Sequence, residues 1–535
     1  MIAVFHVLLR QHETAFTKGI RVNAIIKHRI AARKQRLEER LDKDNFPEDL
    51  SRPVMGGTGV RFDLAGRASG TAYGGVGLMR QLVDRLELPR RIDERLCLFK
   101  RHLPYHESDH VLSLAYNALC AGTCLEDLEL RRQDEAYLNL LDAERIPDPT
   151  TAGDFCRRFE RHHLKALQAA FDEARKQVWS EQPKEFFAEA RIEADGTIVA
   201  TDAECKEGID YCAYKKEWGY HPLVVTLANT GEVLRLLNRS GNRPSHEGAA
   251  ALLDESIVLC REAGYKKILM RGDTDFSQTA YLDRWHEQGD VEFVFGYDAT
   301  DNLKVEADDL PPEAWKPLNR PPKYEVRTEC RSKPERIKQA IVEARGFKDI
   351  RLVDETVAEF DYRPQACRHT YRMVVVRKDL KVSEPKQDRL FDDYRYFFYI
   401  ANGRESTNQE VVFSANKRCQ QENLLAQLNA SRALHAPVND LLSNEAYMLA
   451  TTLAWNLKAW LALSVEEQGS KSEQPEQSKT RLLGMEFRTF VNYFLRLPAQ
   501  VVKTGRRIIV RLLGYNKWQP VFFRLAAKFA RPRRC

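Results

Sequence analysis

Three acidic residues have the types and spacing that phosphodiester chemistry needs. Asp195 falls at the end of, or just within, the strand-like run 191–200, and Asp273 closes a second run at 267–271. Glu422 lies in a helical stretch, Cys419-Gln-Gln-Glu422-Asn-Leu-Leu. In-line cleavage of a phosphodiester uses two divalent ions, one at the attacking oxygen and one at the leaving oxygen. Mg²⁺ takes carboxylate oxygens and keeps several waters. Three acids suffice if one of them bridges both ions, and they must converge from separate elements. Aspartates at the ends of adjacent strands, with a glutamate on a helix packed against the sheet, would do so. Acids at strand ends are also ordinary turn and cap residues. Asp275 and Asp202 are rivals. Asp275, two past Asp273, suits a cap for the following helix, so Asp273, nearer the strand end, is preferred. His221 begins a strand, where packing or a hydrogen bond is expected ahead of metal binding.

The elements that must position these acids can be read from the pattern. The runs 191–200, 221–228, 232–237, 267–271 and 291–296 read as strands, with Asn229-Thr-Gly as a hairpin turn. A helix is expected from Ser245, as its N-cap, to residue 263, and another over 280–288. Three strands in a meander, then helix, strand, helix, strand, is the order of a ribonuclease-H-like core. A doubly wound dinucleotide fold is excluded, because the first two connections are too short for crossover helices. The fold class is α/β, a ribonuclease-H-like catalytic core with a β-rich insertion, flanked by mostly helical N- and C-terminal regions. The expected organisation is a basic helical arm and linker over 1–60 and a helical DNA-binding region over 61–185. The core follows in two parts, 186–299 and 409–465, around a β-rich insertion at 300–408. A polar linker over 466–480 leads to a basic helical tail, 481–535. In the insertion, runs beginning at Tyr324, Ile350, Tyr371 and Tyr394 mix aromatic, β-branched and basic residues. That mixture suits either stacking on unpaired bases or an ordinary half-buried sheet. Upstream, Leu78, Leu82, Val83 and Leu86 recur at helical spacing, and the Thr residues of Asp148-Pro-Thr-Thr could cap a helix over 152–178.

Length and charge agree with several domains and an anionic partner. The 535 residues exceed one hydrophobic core. Net charge is only +6, but 481–535 holds thirteen Lys and Arg against one acid, Glu486. Such asymmetry suggests a polyanion, although a solvated basic surface would look the same. The eleven cysteines lack zinc-ligand spacing; Cys120 and Cys124 have no second pair or suitably spaced histidine. The apolar start, 1–9, is too short for a signal peptide, and its basic residues follow it. No run of eighteen apolar residues suggests a membrane span. Reduced thiols in the cytoplasm are expected.

Several blocks carry a family resemblance: Asp195-Gly-Thr, His221-Pro-Leu-Val-Val, Asn229-Thr-Gly-Glu-Val-Leu, Asn238-Arg-Ser-Gly-Asn, Arg271-Gly-Asp273-Thr-Asp-Phe-Ser and Arg418-Cys-Gln-Gln-Glu422-Asn. With Tyr105-His-Glu-Ser-Asp-His-Val-Leu, the segment 146–159 and Met485-Glu-Phe-Arg-Thr-Phe, they resemble the thirteen-eighty family of insertion-sequence transposases in the DDE superfamily, over roughly residues 70–530. The resemblance implies that Asp195, Asp273 and Glu422 are the catalytic metal ligands, for two Mg²⁺ ions with Mn²⁺ as a substitute. Related transposases carry a Tyr-Arg-Glu-Lys signature around the third acid. Arg418 and Glu422 fit its spacing, whereas Ala415 and Asn429 occupy the Tyr and Lys positions. Arg418 falls on the Glu422 face of the helix, to hold a DNA phosphate or to pair with Glu422. Lys503, Arg506, Arg507 and Arg511 are the expected DNA contacts of the tail. The implied partners are the element's terminal inverted repeats, target DNA and a second copy of the chain in a synaptic complex. The implied activity is cleavage of element ends and their joining to target DNA, and the implied setting is bacterial and nucleoid-associated. A domesticated or inactive DNA-binding protein and a ribonuclease-H-like nuclease are the alternatives.

Overall fold

Among the described residues, nine strands from residue 190 onward assemble into one mixed sheet. Its strands are β1 (Ala190–Gly196), β2 (Leu223–Leu227), β3 (Glu232–Leu237), β4 (Ile268–Gly272) and β5 (Val291–Tyr297), then β6 (Lys316–Pro317), β7 (Asp349–Tyr362), β8 (Tyr371–Ser383) and β9 (Tyr394–Ala401). Their spatial order is β6-β7-β8-β9-β5-β4-β1-β2-β3. The computed structural model describes residues 24–42, 61, 69–101, 104–201, 203, 205–213, 215–320, 349–383, 394–466, 475–504 and 507–530. The chain divides into two units, one of Trp179–Asn429 with Asn439–Glu445, the other of Met1–Val178, Ala430–Val438 and Ala446–Cys535.

In the first of these units, β1, β2 and β3 form the expected antiparallel meander, while β4 and β5 run parallel to β1. The central strands β2 and β4 are buried almost throughout, which is why they read as unbroken apolar runs. Helix α1 (Ala249–Ala263) joins β3 to β4 and packs on β1, β2 and β3. Helix α2 (Thr279–His286) joins β4 to β5. The run 191–200 is not one strand. It ends as β1 at Gly196, and Val199–Ala200 enters a separate small sheet with Asp210–Cys212 and Glu217–Tyr220. Ser245 is not the cap of α1, which starts four residues later behind Gly248, a residue held at φ 80°. Only glycine takes that left-handed conformation freely, so the backbone bend fixes the start.

The β-rich insertion continues the core sheet. Strand β9 returns antiparallel to β5, covering an edge that would otherwise present unpaired amides. Helix α3 (Asn408–Asn416) then crosses the joint. Its Val411, Val412 and Ala415 pack with Val294 of β5, Val357, Val374 and Val376 of β7 and β8, and Ala401 of β9. The strand expected from Tyr324 lies outside the described residues.

The other unit is mostly helical, with Val76–Arg85, Leu88–Arg95, Glu107–Leu119, Pro149–Cys156 and most of Leu441–Leu463 among its helices. Asp148, not a following threonine, caps Pro149–Cys156 by accepting from Thr151 N at 2.9 Å. That helix ends at Cys156, and a second one runs Arg161–Ser180. The basic arm forms the expected helix, over 24–41, and Arg33 donates to Leu512 O at 2.6 Å. The tail is not wholly helical. Ala499–Thr504 and Arg507–Leu512 form a hairpin, and Ser69–Thr71 joins it as a third strand. The β-branched residues Val501, Val502, Ile508, Ile509 and Val510 favour the strand over the helix. Of the expected linker, 467–474 lies outside the described residues, while Pro475–Leu483 is helical.

Phe293 of β5 is fully buried, with Phe295 and Tyr371 at ring distances of 5.4 and 5.5 Å. Phe293→Ala should cost about 3–5 kcal/mol. Chemical denaturation followed by fluorescence would register it, and a loss under about 1 kcal/mol would contradict this packing.

Candidate active site

Strands β1 and β4 are adjacent and parallel, with Glu193 opposite Arg271. Two residues further along stand Asp195, still within β1, and Asp273, the first residue after β4, so the aspartates sit at neighbouring C-terminal strand ends, where one guanidinium reaches both. Asp195 is held by its own turn, Oδ1 accepting from Gly196 N at 2.8 Å. Asp273 Oδ1 accepts from Asp275 N at 3.1 Å, capping the single turn Thr274–Phe276. That turn lies flat on β5 because residue 296 is glycine. A Cβ there would stand 2.9 Å from Thr274 N and 3.2 Å from Asp273 C.

Glu422 arrives on helix α4 (Cys419–Ala430), which is fastened at both ends. Gln421, buried, donates to Val224 O of β2 at 3.2 Å and accepts from the Thr226 hydroxyl. Asn429 donates to Thr197 Oγ1 at 2.7 Å, just past the Asp195 turn. Asn429, at the position of the signature's Lys, is thus engaged within the fold. Arg418 stands where the three acids converge. Its Nη1 lies 3.3 Å from Asp195 Oδ2 and 3.5 Å from Asp273 Oδ2, and its Nη2 lies 3.2 Å from Glu422 Oε1. The i,i+4 pair with Glu422 therefore exists, but the guanidinium serves all three carboxylates.

Burial pushes the Asp195 carboxyl up to about 7, the nearby Asp273 charge adds to the rise, and Arg418 opposes it. Burial also raises Asp273, again against Arg418. Carboxylate oxygens gathered around a cation are the donor chemistry that a hard divalent ion prefers, and these three residues supply it.

Other candidates fall elsewhere. Asp275 is exposed and is not among the carboxylates that Arg418 touches, and Asp202 lies outside the described residues. His221 is bound through Nδ1 to Arg243 O at 2.9 Å, and burial lowers its pKa. Asp93, His106 and Glu107 cluster in the other unit, but Glu107 accepts from Leu98 N and Phe99 N, and Asp93 from Ser108. Lys503, Arg507 and Arg511 are exposed on the hairpin of that unit, and Arg506 lies outside the described residues. Sequence reasoning missed Gln421, Glu193 and Arg271. The last two had a signal, since opposite charges precede Asp195 and Asp273 at the same offset.

The sequence pattern of the family described as Transposase DDE domain group 1 matches residues 53–534, and the chain belongs to that family. No curated protein matches it. Among solved structures, it is similar to a piggyBac transposase synaptic complex with hairpin DNA determined by cryo-EM, at a TM-score of 0.36 and 11% identity, over 80% of this chain and 84% of that one. No helix among the described residues is long and apolar enough to cross a membrane.

In metal-free protein, Asp195 makes stability fall as pH rises. Its folded pKa of about 7 exceeds the ordinary 3.8, so between those values the folded state binds more protons than the unfolded. Asp195→Asn should flatten that fall and be more stable than the parent at pH 8. Thermal melts across pH in chelator test this, and parallel profiles would refute it.

Proposed function

We propose that this chain is a DNA transposase that cuts insertion-sequence ends and joins them to target DNA, with Asp195, Asp273 and Glu422 as its catalytic metal ligands. The observation that carries the reading is the convergence of those three carboxylates, from β1, β4 and α4, on one cation. The strand order β3-β2-β1-β4-β5, antiparallel then parallel, supports a ribonuclease-H-like core. The motif blocks support the thirteen-eighty group within the family.

Asp195, Asp273 and Glu422 would hold two Mg²⁺ ions, or Mn²⁺ in their place, which would supply activation of the attacking oxygen and stabilisation of the leaving one. The chain's own residues do the rest. Asp195 and Asp273 are fixed side by side by strand pairing, so little reorganisation is needed to present their oxygens. Glu422, the most exposed of the three, closes the set from the helix. Arg418 offers a planar fork of donors suited to a phosphate. Lys503, Arg507 and Arg511, with Arg506 beside them in sequence, give the hairpin a basic surface for the duplex backbone. The inverted repeats and target DNA are the partners, with a second copy completing a synaptic complex. A bacterial cytoplasm with access to the nucleoid is the setting.

Alanine at Asp195, Asp273 or Glu422 should abolish both end cleavage and strand transfer while DNA binding persists. Asp275→Ala should keep substantial activity. The measurement is Mg²⁺-dependent release and joining of labelled duplexes carrying the flanking inverted repeats. Cleavage without joining by the parent would favour a nuclease. Binding without cleavage would favour a domesticated DNA-binding protein. Normal cutting by all three alanine variants would end the proposal.

The hairpin makes a separate prediction. Replacing Lys503, Arg507 and Arg511 together by alanine should weaken duplex binding across sequences. The slope of log K against log salt should shrink by about 0.9 for each phosphate that is no longer neutralised. An unaltered slope would mean these cations do not meet DNA.

A further inference from the structure

A polar row crosses the sheet directly beneath the two aspartates. In strand register, Val224 and Asp195 stand abreast on β2 and β1, and Asp273 follows directly after the end of β4. One step back along the same face, Thr226, Glu193 and Arg271 stand abreast on β2, β1 and β4. The back row grips a helix at each end. On β2, the Thr226 hydroxyl bonds Gln421 of α4, the residue before Glu422. On β4, Arg271 Nη1 donates to Ser414 O at 3.0 Å, in the last turn of α3, four residues before Arg418. In the middle, Arg271 Nη2 meets the Glu193 carboxylate, joining β4 to β1.

This pair is poorly explained as a source of stability. Its side chains are 3% and 1% exposed, and taking two charges out of water costs several kcal/mol each before their attraction is counted. The pair is also imperfectly satisfied, since Arg271 Nε has no hydrogen-bond partner. An apolar pair of similar volume would stand there at no loss of stability. An apolar pair would not specify register or reach the Ser414 carbonyl. A slip of one residue would turn Asp195 to the opposite face.

We propose that Glu193 and Arg271 are positioning residues for the metal site. Their pairing locks β1 against β4 so that Asp195 and Asp273 stand together at the strand ends, and the second arm of Arg271 holds the turn that delivers Arg418 and Glu422. The proposal rests on the reading of Asp195, Asp273 and Glu422 as metal ligands. It adds that ligand geometry is set by a buried charge pair that touches neither metal nor DNA.

The test compares the full chain, Glu193→Met/Arg271→Met, Arg271→Lys and Asp195→Asn, using Mn²⁺ alone as probe. Thermal melts report folding, and the electron paramagnetic resonance of free Mn²⁺ reports binding without DNA. The double variant should melt no lower than the parent, yet bind Mn²⁺ about 10- to 100-fold more weakly, the usual loss when groups that orient metal ligands are removed. Its kcat for end cleavage should fall while its Kd for duplex DNA holds. Arg271→Lys, which keeps the charge but cannot reach Glu193 and Ser414 together, should fold and also bind Mn²⁺ more weakly. It carries the test should the double variant fail to fold. Parental Mn²⁺ affinity in a folded Glu193 or Arg271 variant, with affinity lost in Asp195→Asn, overturns the positioning role and leaves the metal site standing. Parental affinity in Asp195→Asn overturns the metal assignment and this inference with it.

Discussion

Carboxylates repel one another, and burial makes the repulsion worse. Asp195 and Asp273 stand on neighbouring strand ends, partly out of water, with Glu422 facing them. Such a cluster disperses unless the backbone holds it and a cation answers it. The backbone does the first through parallel pairing of β1 and β4 and through a helix pinned at Gln421 and Asn429. Arg418 does the second, in part. Burial first, and then the Asp273 charge, hold the Asp195 carboxyl up to about 7 in spite of the arginine. The architecture around the site keeps like charges together.

The same need accounts for the placing of the long insertion. Between β5 and α3 the chain departs for more than a hundred residues before returning to bring in Arg418 and Glu422. Because β9 pairs with β5 and α3 packs across both, the return path is set by sheet hydrogen bonds and an apolar interface. The third carboxylate is therefore delivered by the same rigid sheet that holds the first two.

Much of this is legible in the sequence wherever the signal is local. Strands β2 to β5 announce themselves as apolar runs ending in turn residues, and Asp195, Asp273 and Glu422 stand at element positions that could converge. What the sequence hides depends on partners distant in the chain. The hairpin 499–512 looks helical because its pairing with Ser69–Thr71 spans the chain, and its β-branched content is outweighed by basic residues scattered at helical spacing. The insertion looks like a separate domain because nothing local says that Tyr394–Ala401 will pair with β5. The start of α1 is easily misplaced because Ser245 has the chemistry of a cap while Gly248 has the conformation. Glu193 passes for a polar intrusion in an apolar strand, although its match to Arg271 is visible in the equal offsets.

The mostly helical unit is sewn from pieces that leave the ribosome far apart. Ser69–Thr71 waits for Ala499–Thr504 as its strand partner, and Arg33 of the opening helix waits for the carbonyl of Leu512. The sheet-bearing unit, by contrast, has all its residues by Glu445. Domains tend to fold as they emerge, so synthesis should yield a folded sheet attached to an unfinished helical unit until the hairpin appears. A chain cut short before residue 499 would carry all three acids without a completed three-stranded sheet. Pairings of such long sequence separation form slowly. Completion of the helical unit thus becomes a late event in the synthesis of each molecule.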